Sequence, residues 1–381
     1  MWLHWQREKE LQIDEALRSS LVDVEALRRH AVSMGGLFHS DIRRRVWPKL
    51  VGVNMYHIKP YEGAPLTEHK DRAQVLLDVR RCSRRIPEHY SETRRQELQE
   101  KLLRVILRLL SEHPDLHYYQ GFHDIVITFL LVGGEDFAYA IVNVLVQHHI
   151  RDFMDADMDR TKVIICYLRP LLRLESRTLE RFIHKSECAY YFCLSWLITW
   201  FGHVVRRLDE ACRLVDFLLA SHPLMPVYLS GAIILSRESE VLAVDCEMAS
   251  VHGLLSKIPE RLSYEQVIVM AQQLFEKHPP QRLARNEGLK LGTSSLISTY
   301  KQFSRHTQNQ HADHLLARGI VSPAPPRCWL DWLPSPSFSL FLRLLAFVAP
   351  VLLAVILFWI RHHYVRTNME PTFSPRKSVP I

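Results

Sequence analysis

Glycine is scarce in this chain, at 13 residues of 381. That scarcity argues against a β-rich or Gly-looped nucleotide-binding architecture and fits helices. Familiar catalytic signatures are missing too. There is no G-x-x-x-x-G-K-[ST], no G-x-S-x-G and no H-E-x-x-H. The seven cysteines, at 82, 166, 188, 193, 212, 246 and 328, form no C-x-x-C pair. An odd, scattered set excludes a disulfide framework or a zinc ribbon. Histidine pairs occur at 148–149 and 362–363, but adjacent residues do not share a helix face. Asp155, Asp157 and Asp159 resemble the start of a calcium loop, yet Arg160 stands where that loop needs glycine. No metal site is expected. The opening residues, MWLHWQREKELQIDEAL, lack the uninterrupted apolar core of a signal peptide. The soluble part is therefore expected in the cytosol. Alternating strand patterns are almost absent, and no solenoid-like repeat recurs.

What is present is apolar and helical. Hydrophobic residues make up 48% of the chain, enough for a sizeable core. The formal charge of +7 favours an acidic partner surface without choosing among nucleic acid, lipid headgroups and protein. Helical periodicity runs through the first 30 or so residues to Gly35-Gly36. DIRRRVWPKLVG reads as a short helix stopped by Pro48 and Gly52. A polar loop spans 56–70, and an arginine-rich helix follows over about 71–85. Residues 92–112 form a strong amphipathic helix ending before His113-Pro114. A near-continuous apolar run follows over 122–132. More runs follow at about 136–149, 161–174, 189–201, 209–220 and 227–236. Several are apolar on nearly every face, as in the middle of a large bundle.

The fold class expected is all-α. The reading divides the chain into an N-terminal helical segment (1–29), a helical domain (30–285), a flexible linker (286–337), a membrane anchor (338–360) and a short tail (361–381). Leu344 to Ile360 holds 17 residues without a charge. Arg343 can snorkel to lengthen that span, and Pro350 is tolerated within it. A buried core helix is the competing reading, but length and hydropathy suit a bilayer better. The layout is that of a tail-anchored protein whose bulk faces the cytosol.

Two polar features stand out. In QVLLDVRRCSRR, Arg80, Arg81, Arg84 and Arg85 sit on one short helix. A solvated basic face is the plain explanation. Nucleic-acid binding would need base-reading aromatics interleaved, and none are there. But Asp78 lies three residues before Arg81, on the same helical face, where a carboxylate could hold a guanidinium in a fixed rotamer. A pre-oriented arginine suits developing charge on a phosphoryl group. In HYYQGFHD, Gln120-Gly121 precedes the apolar run, and the pair is either helix-end punctuation or a presented glutamine. Small GTPases hydrolyse GTP slowly for want of two things. One is positive charge on the transferring phosphoryl; the other is an amide that orients water. An arginine supplied in trans is worth roughly 10³–10⁵ in rate, about 4–7 kcal/mol of barrier.

Three patterns then coincide in order. They are R-x-x-x-W at Arg43…Trp47 with Gly36 upstream, I-x-x-D-x-x-R at Val75…Asp78…Arg81, and Y-x-Q-G at Tyr118-Tyr119-Gln120-Gly121. With them the chain resembles the TBC (Tre-2/Bub2/Cdc16) domain family of Rab GTPase-activating proteins, over about residues 30–280. The resemblance implies that Arg81 is an arginine finger and Gln120 a glutamine finger that takes over water positioning from the Rab. It implies that Asp78 steadies Arg81, that Tyr118 and Gly121 shape the glutamine loop, and that Arg43 and Trp47 are structural. It implies a GTP-bound Rab as partner, with Mg²⁺ and GTP carried by that partner, no cofactor of the chain's own and no nucleic acid. The anchored member it resembles most implies ER-to-Golgi traffic at the endoplasmic reticulum or early secretory membrane. The alternative is a catalytically silent, tail-anchored Rab-binding scaffold. Three positions depart from the family: Val75 stands where the arginine motif has Ile, a conservative change, and Phe122 and His123 follow Gln-Gly where many members have Met and Asn.

Overall fold

The computed structural model describes residues 2–63, 65–82, 85–259, 262–289 and 295–317. They belong to one compact unit, Met1–Pro323. Among the described residues no strand forms; Leu21 and His311 make a single antiparallel bridge.

The N-terminal run is two helices, α1 (Trp2–Arg18) and α2 (Val24–Val32). Asp23 caps α2, its carboxylate accepting from the Ala26 N–H at 2.8 Å. Leu27 and Ala31 are fully buried, so α2 is part of the core rather than a preceding segment. Helix α3 (Ser40–Val51) runs through Pro48 instead of stopping there. Proline removes one backbone bond; the burial of Val46, Trp47, Leu50 and Val51 outweighs that loss.

The stretch 56–70 is irregular apart from 3₁₀ turns at Met55–His57 and Leu66–Glu68. Then comes α4 (Arg72–Arg81), which buries Val75, Asp78 and Val79 on one face. Helix α5 (Glu92–Glu112) matches its sequence limits because both ends are written in the chain. Ser91 accepts from the Arg94 N–H at 3.3 Å, and Pro114 follows the last turn. Its inward stripe is Leu98, Leu102, Val105, Ile106 and Leu109, the spacing of a core-facing helix. Helix α6 (Phe122–Gly133) is buried on nearly all sides and sits against α5 and α7 (Glu135–Leu145).

The run read over 161–174 is broken at Tyr167 into α8 (Asp159–Cys166) and α9 (Leu168–Glu175). Helix α10 (Arg177–Lys185) follows, capped by Ser176. The apolar stretch 189–201 is not one helix. It is a 3₁₀ turn (Tyr190–Cys193), a short α11 (Leu194–Ile198) and a turn in which Trp200 and Phe201 take φ of 48° and 63°. Such values are strained for bulky residues; here both rings are buried, and packing holds them. Beyond lie α12 (Leu208–Leu219), α13 (Met225–Ser236), α14 (Glu238–Ala243), α15 (Met248–Leu255), α16 (Tyr264–Lys277) and α17 (Pro280–Glu287). Helices α13 and α16 pack along each other.

The expected linker departs from its reading where it is described. Helices α18 (Leu296–His306) and α19 (Asp313–Ala317) dock on the N-terminal helices. The buried Arg28 guanidinium donates to the carbonyls of Ala220 and Leu50 and to Thr307 Oγ1, at 3.2, 3.1 and 3.0 Å. Lys49 pairs with Asp313 at 2.7 Å. Polar composition hid this docking: the apolar stripe is short, Ile297, Tyr300 and Phe303, and buried cations on distant helices supply the rest. The expected anchor, 338–360, lies outside the described residues. Among the described residues no helix is long and apolar enough to cross a membrane.

Candidate functional site

Arg81 is the last residue of α4. The buried face of that helix turns Arg80 and Arg81 outward, beside the half-exposed Leu77. Among the described residues neither arginine has an ion-pair or hydrogen-bond partner. Asp78 was expected to steady Arg81, and it does not. It is 1% exposed, and its carboxylate accepts from the Tyr118 hydroxyl at 2.9 Å and from Gln74 Nε2 at 3.3 Å. A carboxylate this deep needs fixed donors, and an arginine at the solvent-facing helix end is not one of them. Arg85 is not part of an open basic face either. It is buried and donates to the Val205 carbonyl at 2.9 Å.

Gln120 sits on the turn before α6 and is exposed. Two tyrosines hold that turn down. Tyr118 reaches α4 through Asp78, and Tyr119 donates to the Ile198 carbonyl at 2.7 Å. Burial, reinforced by nearby carboxylates, pushes both hydroxyls' pKa upward, so they stay donors. The Phe122 N–H bonds back to the Tyr119 carbonyl at 3.2 Å and closes the turn. Gly121 has φ +104°, and a Cβ there would lie 2.7 Å from Thr199 Cγ2. Backbone and space both demand glycine. Gln120 is thus presented outward by neighbours that point inward.

Phe122 is fully buried, packed against the rings of Tyr119 and Tyr118. His123 is buried too, with Nδ1 3.4 Å from the Tyr118 hydroxyl and 4.0 Å from Asp78 Oδ2. Burial lowers its pKa against the pull of Asp124 and Asp78. Phe122 and His123 therefore sit directly under the glutamine loop.

Arg43 and Trp47 lie elsewhere, in the core. Both converge on Asp216, a residue that sequence reasoning missed. Asp216 Oδ2 accepts from Arg43 Nη2 at 2.9 Å and from the Leu37 N–H at 3.0 Å; Oδ1 accepts from Trp47 Nε1 at 2.7 Å. Burial opposes the Arg43 charge, but Asp216 overrides it and the guanidinium's pKa rises. Gly36 makes room: a Cβ there would lie 2.6 Å from Asp216 Oδ2. The signal for Asp216 was a lone carboxylate in the apolar run RLVDFLL, which requires a buried partner.

The site therefore offers two free polar side chains, one cationic and one amide. They sit on adjoining elements tied by the Asp78–Tyr118 bond. Among the described residues it holds no phosphate-cradling loop. It suits action on a ligand that another molecule carries.

Comparison with known proteins follows the same lines. The chain matches the model of the Rab-GTPase-TBC domain family over residues 40–242. It is 47% identical to TBC1 domain family member 20 of Homo sapiens, over 89% of this chain and 85% of that relative. It is 30% identical to the GTPase-activating protein gyp10 of Schizosaccharomyces pombe, over 69% of this chain and 72% of that one. The crystal structure of the Ypt/Rab-GAP domain of Gyp1p superposes with a TM-score of 0.57 at 13% identity, covering 71% of this chain and 98% of that domain. At that identity the likeness is one of fold.

Proposed function

Since the chain belongs to the Rab-GTPase-TBC domain family, we propose that it is a GTPase-activating protein for a Rab-family GTPase and works by two residues supplied in trans. Arg81 reaches the phosphates of the bound GTP and balances charge on the transferring phosphoryl group. Gln120 orients the attacking water in place of the Rab's own glutamine. Mg²⁺ and GTP come with the partner, so the chain needs no cofactor of its own. The observation that carries this reading is the pair itself: Arg81 and Gln120 stand exposed on elements locked together by Asp78 and Tyr118. The 338–360 segment serves as a tail anchor, which places the activity at the endoplasmic reticulum or early secretory membrane, in ER-to-Golgi traffic.

Single-turnover GTP hydrolysis across a panel of Rabs tests it, using residues 1–323. At least one early-secretory Rab should respond. Arg81→Ala should lose roughly 10³-fold or more of the stimulation, and Gln120→Ala should also lose most of it. Loss with Arg80→Ala but not with Arg81→Ala would move the finger by one residue. A Rab that binds without faster hydrolysis would favour the silent-scaffold reading.

A further inference from the structure

Behind the glutamine loop three ligand-type side chains converge from two elements. The Cys82 sulfur, a His123 ring nitrogen and an Asp124 carboxylate oxygen all lie within 4.8 Å of one another. Cys82 follows the last residue of α4, directly after Arg81. His123 and Asp124 open α6, just beyond Gln120-Gly121. Cys82 and His123 are buried, and the Asp124 side chain is nearly so, at 12% exposed.

The hydrogen bonding around them is incomplete in a particular way. Asp124 Oδ2 is buried and has no hydrogen-bond partner among the described residues, a costly state for a carboxylate. His203 Nδ1 stands 3.6 Å from that oxygen, on the solvent side. His123 is oriented from behind. The Tyr118 hydroxyl gives its proton to Asp78 at 2.9 Å, so towards His123 Nδ1, 3.4 Å away, it acts as an acceptor. That puts the imidazole proton on Nδ1 and leaves a lone pair on Nε2. This lone pair faces Asp124 Oδ1 at 3.7 Å. Two lone-pair donors pointing at each other, backed by a carboxylate behind the histidine, are the arrangement that orients a metal-binding imidazole.

We propose that Cys82, His123 and Asp124 bind a thiophilic divalent cation, zinc by preference, which clamps the end of α4 to the start of α6. Sulfur, imidazole and one carboxylate are a donor set that zinc accepts. Tetrahedral ligands stand about 3.5 Å apart, so closing on the ion takes a movement of roughly 1 Å. On binding, the Cys82 S–H bond breaks, its proton leaves to solvent, and a metal–sulfur bond forms without any change of oxidation state. One thiolate and one carboxylate then balance the dication, and the buried Arg85 guanidinium beside them keeps its own charge. Arg85 is held by the Gly202 and Val205 carbonyls and makes no ion pair with Asp124 among the described residues. His203, at the mouth, is positioned to approach as a fourth ligand. The clamp would fix the spacing of Arg81 and Gln120, but the binding itself stands apart from the GTPase reading and is tested without it.

The test is a Co²⁺ titration of the metal-free full chain, read by absorption. The expected result is a thiolate-to-cobalt charge-transfer band that saturates at one equivalent and vanishes on adding Zn²⁺. Cys82→Ser should abolish the band. His123→Asn and Asp124→Asn should each weaken binding by at least about tenfold. Cys166→Ser, at an exposed thiol, should leave the band unchanged. Excess Zn²⁺ should raise the melting temperature of the unsubstituted chain by about 5 °C. Absence of the band in the unsubstituted chain overturns the proposal, as does a band that survives Cys82→Ser. Circular dichroism checks each variant's fold; should Cys82→Ser not fold, the affinity of His123→Asn decides, and unchanged affinity overturns the proposal.

Discussion

At the scale of single residues, the fold depends on a few buried polar groups with full sets of partners. Asp216 satisfies a guanidinium, an indole and a backbone N–H at once. Asp216→Ala leaves the buried Arg43 charge unpaired and should cost about 3–5 kcal/mol, measured by urea unfolding. Against a total stability of about 5–15 kcal/mol, such a loss is large. Tyr118→Phe is a narrower probe. It removes the hydroxyl from Asp78 while keeping the ring against Phe122. It should destabilise by about 1–3 kcal/mol and slow GTP hydrolysis more than it weakens Rab binding, a split that stopped-flow kinetics reads directly. Arg81 and Gln120 could be singled out in the sequence because the residues around them follow a fixed order. Their supports were less legible. Asp78 was assigned to the arginine on its own helix, and it bonds across to a tyrosine 40 residues on. A helical wheel shows neighbours within one element and cannot show that.

At the scale of elements, α18 has an acid-sensitive seat. His148 and His149 follow α7 and pack against Phe303 and Tyr300; His222 packs against Tyr300 as well. Burial lowers His148 and His222 to about 4, with His306 adding to the shift at His148, and lowers His149 well below its ordinary value. These rings are neutral when folded. Unfolding lets them take up protons at any pH below their ordinary pKa near 6.5. Their neutral-state stability is therefore present above about pH 6.5 and lost as pH falls towards 4. Hydrogen exchange should show residues 296–306 opening at pH 4.5 before α5 and α6 do. Uniform exchange across all three helices would contradict this. Helix α5 was readable end to end because its cap, stripe and stop are local. Helices α18 and α19 were not, because what they pack on lies far away in the chain: His148, His149 and His222 under the rings of α18, and Arg28 and Lys49 beside them. The 189–201 run misled for a related reason: its apolar residues are buried as expected, but in turns that packing imposes.

At the scale of the whole molecule, the folded unit extends well past residue 285. A chain ending at 289 exposes the seat of α18, strands Lys49 and takes the Thr307 hydroxyl from Arg28. It should melt several degrees below one ending at 323, about 2–4 °C for each kcal/mol lost, by calorimetry. The membrane arm of the account has its own check. Deleting 338–360 should move the protein from the membrane pellet to the soluble fraction, and continued sedimentation with membranes would count against a tail anchor. The central claim is that Gln120 and Arg81 act together on a nucleotide held by another protein. The most direct measurement uses a responsive Rab whose own water-positioning glutamine has been changed to alanine. Single-turnover hydrolysis with this chain should remain stimulated, and the stimulation should vanish with Gln120→Ala. If the altered Rab no longer responds to the unsubstituted chain, Gln120 does not replace the missing glutamine, and the account of the site is wrong.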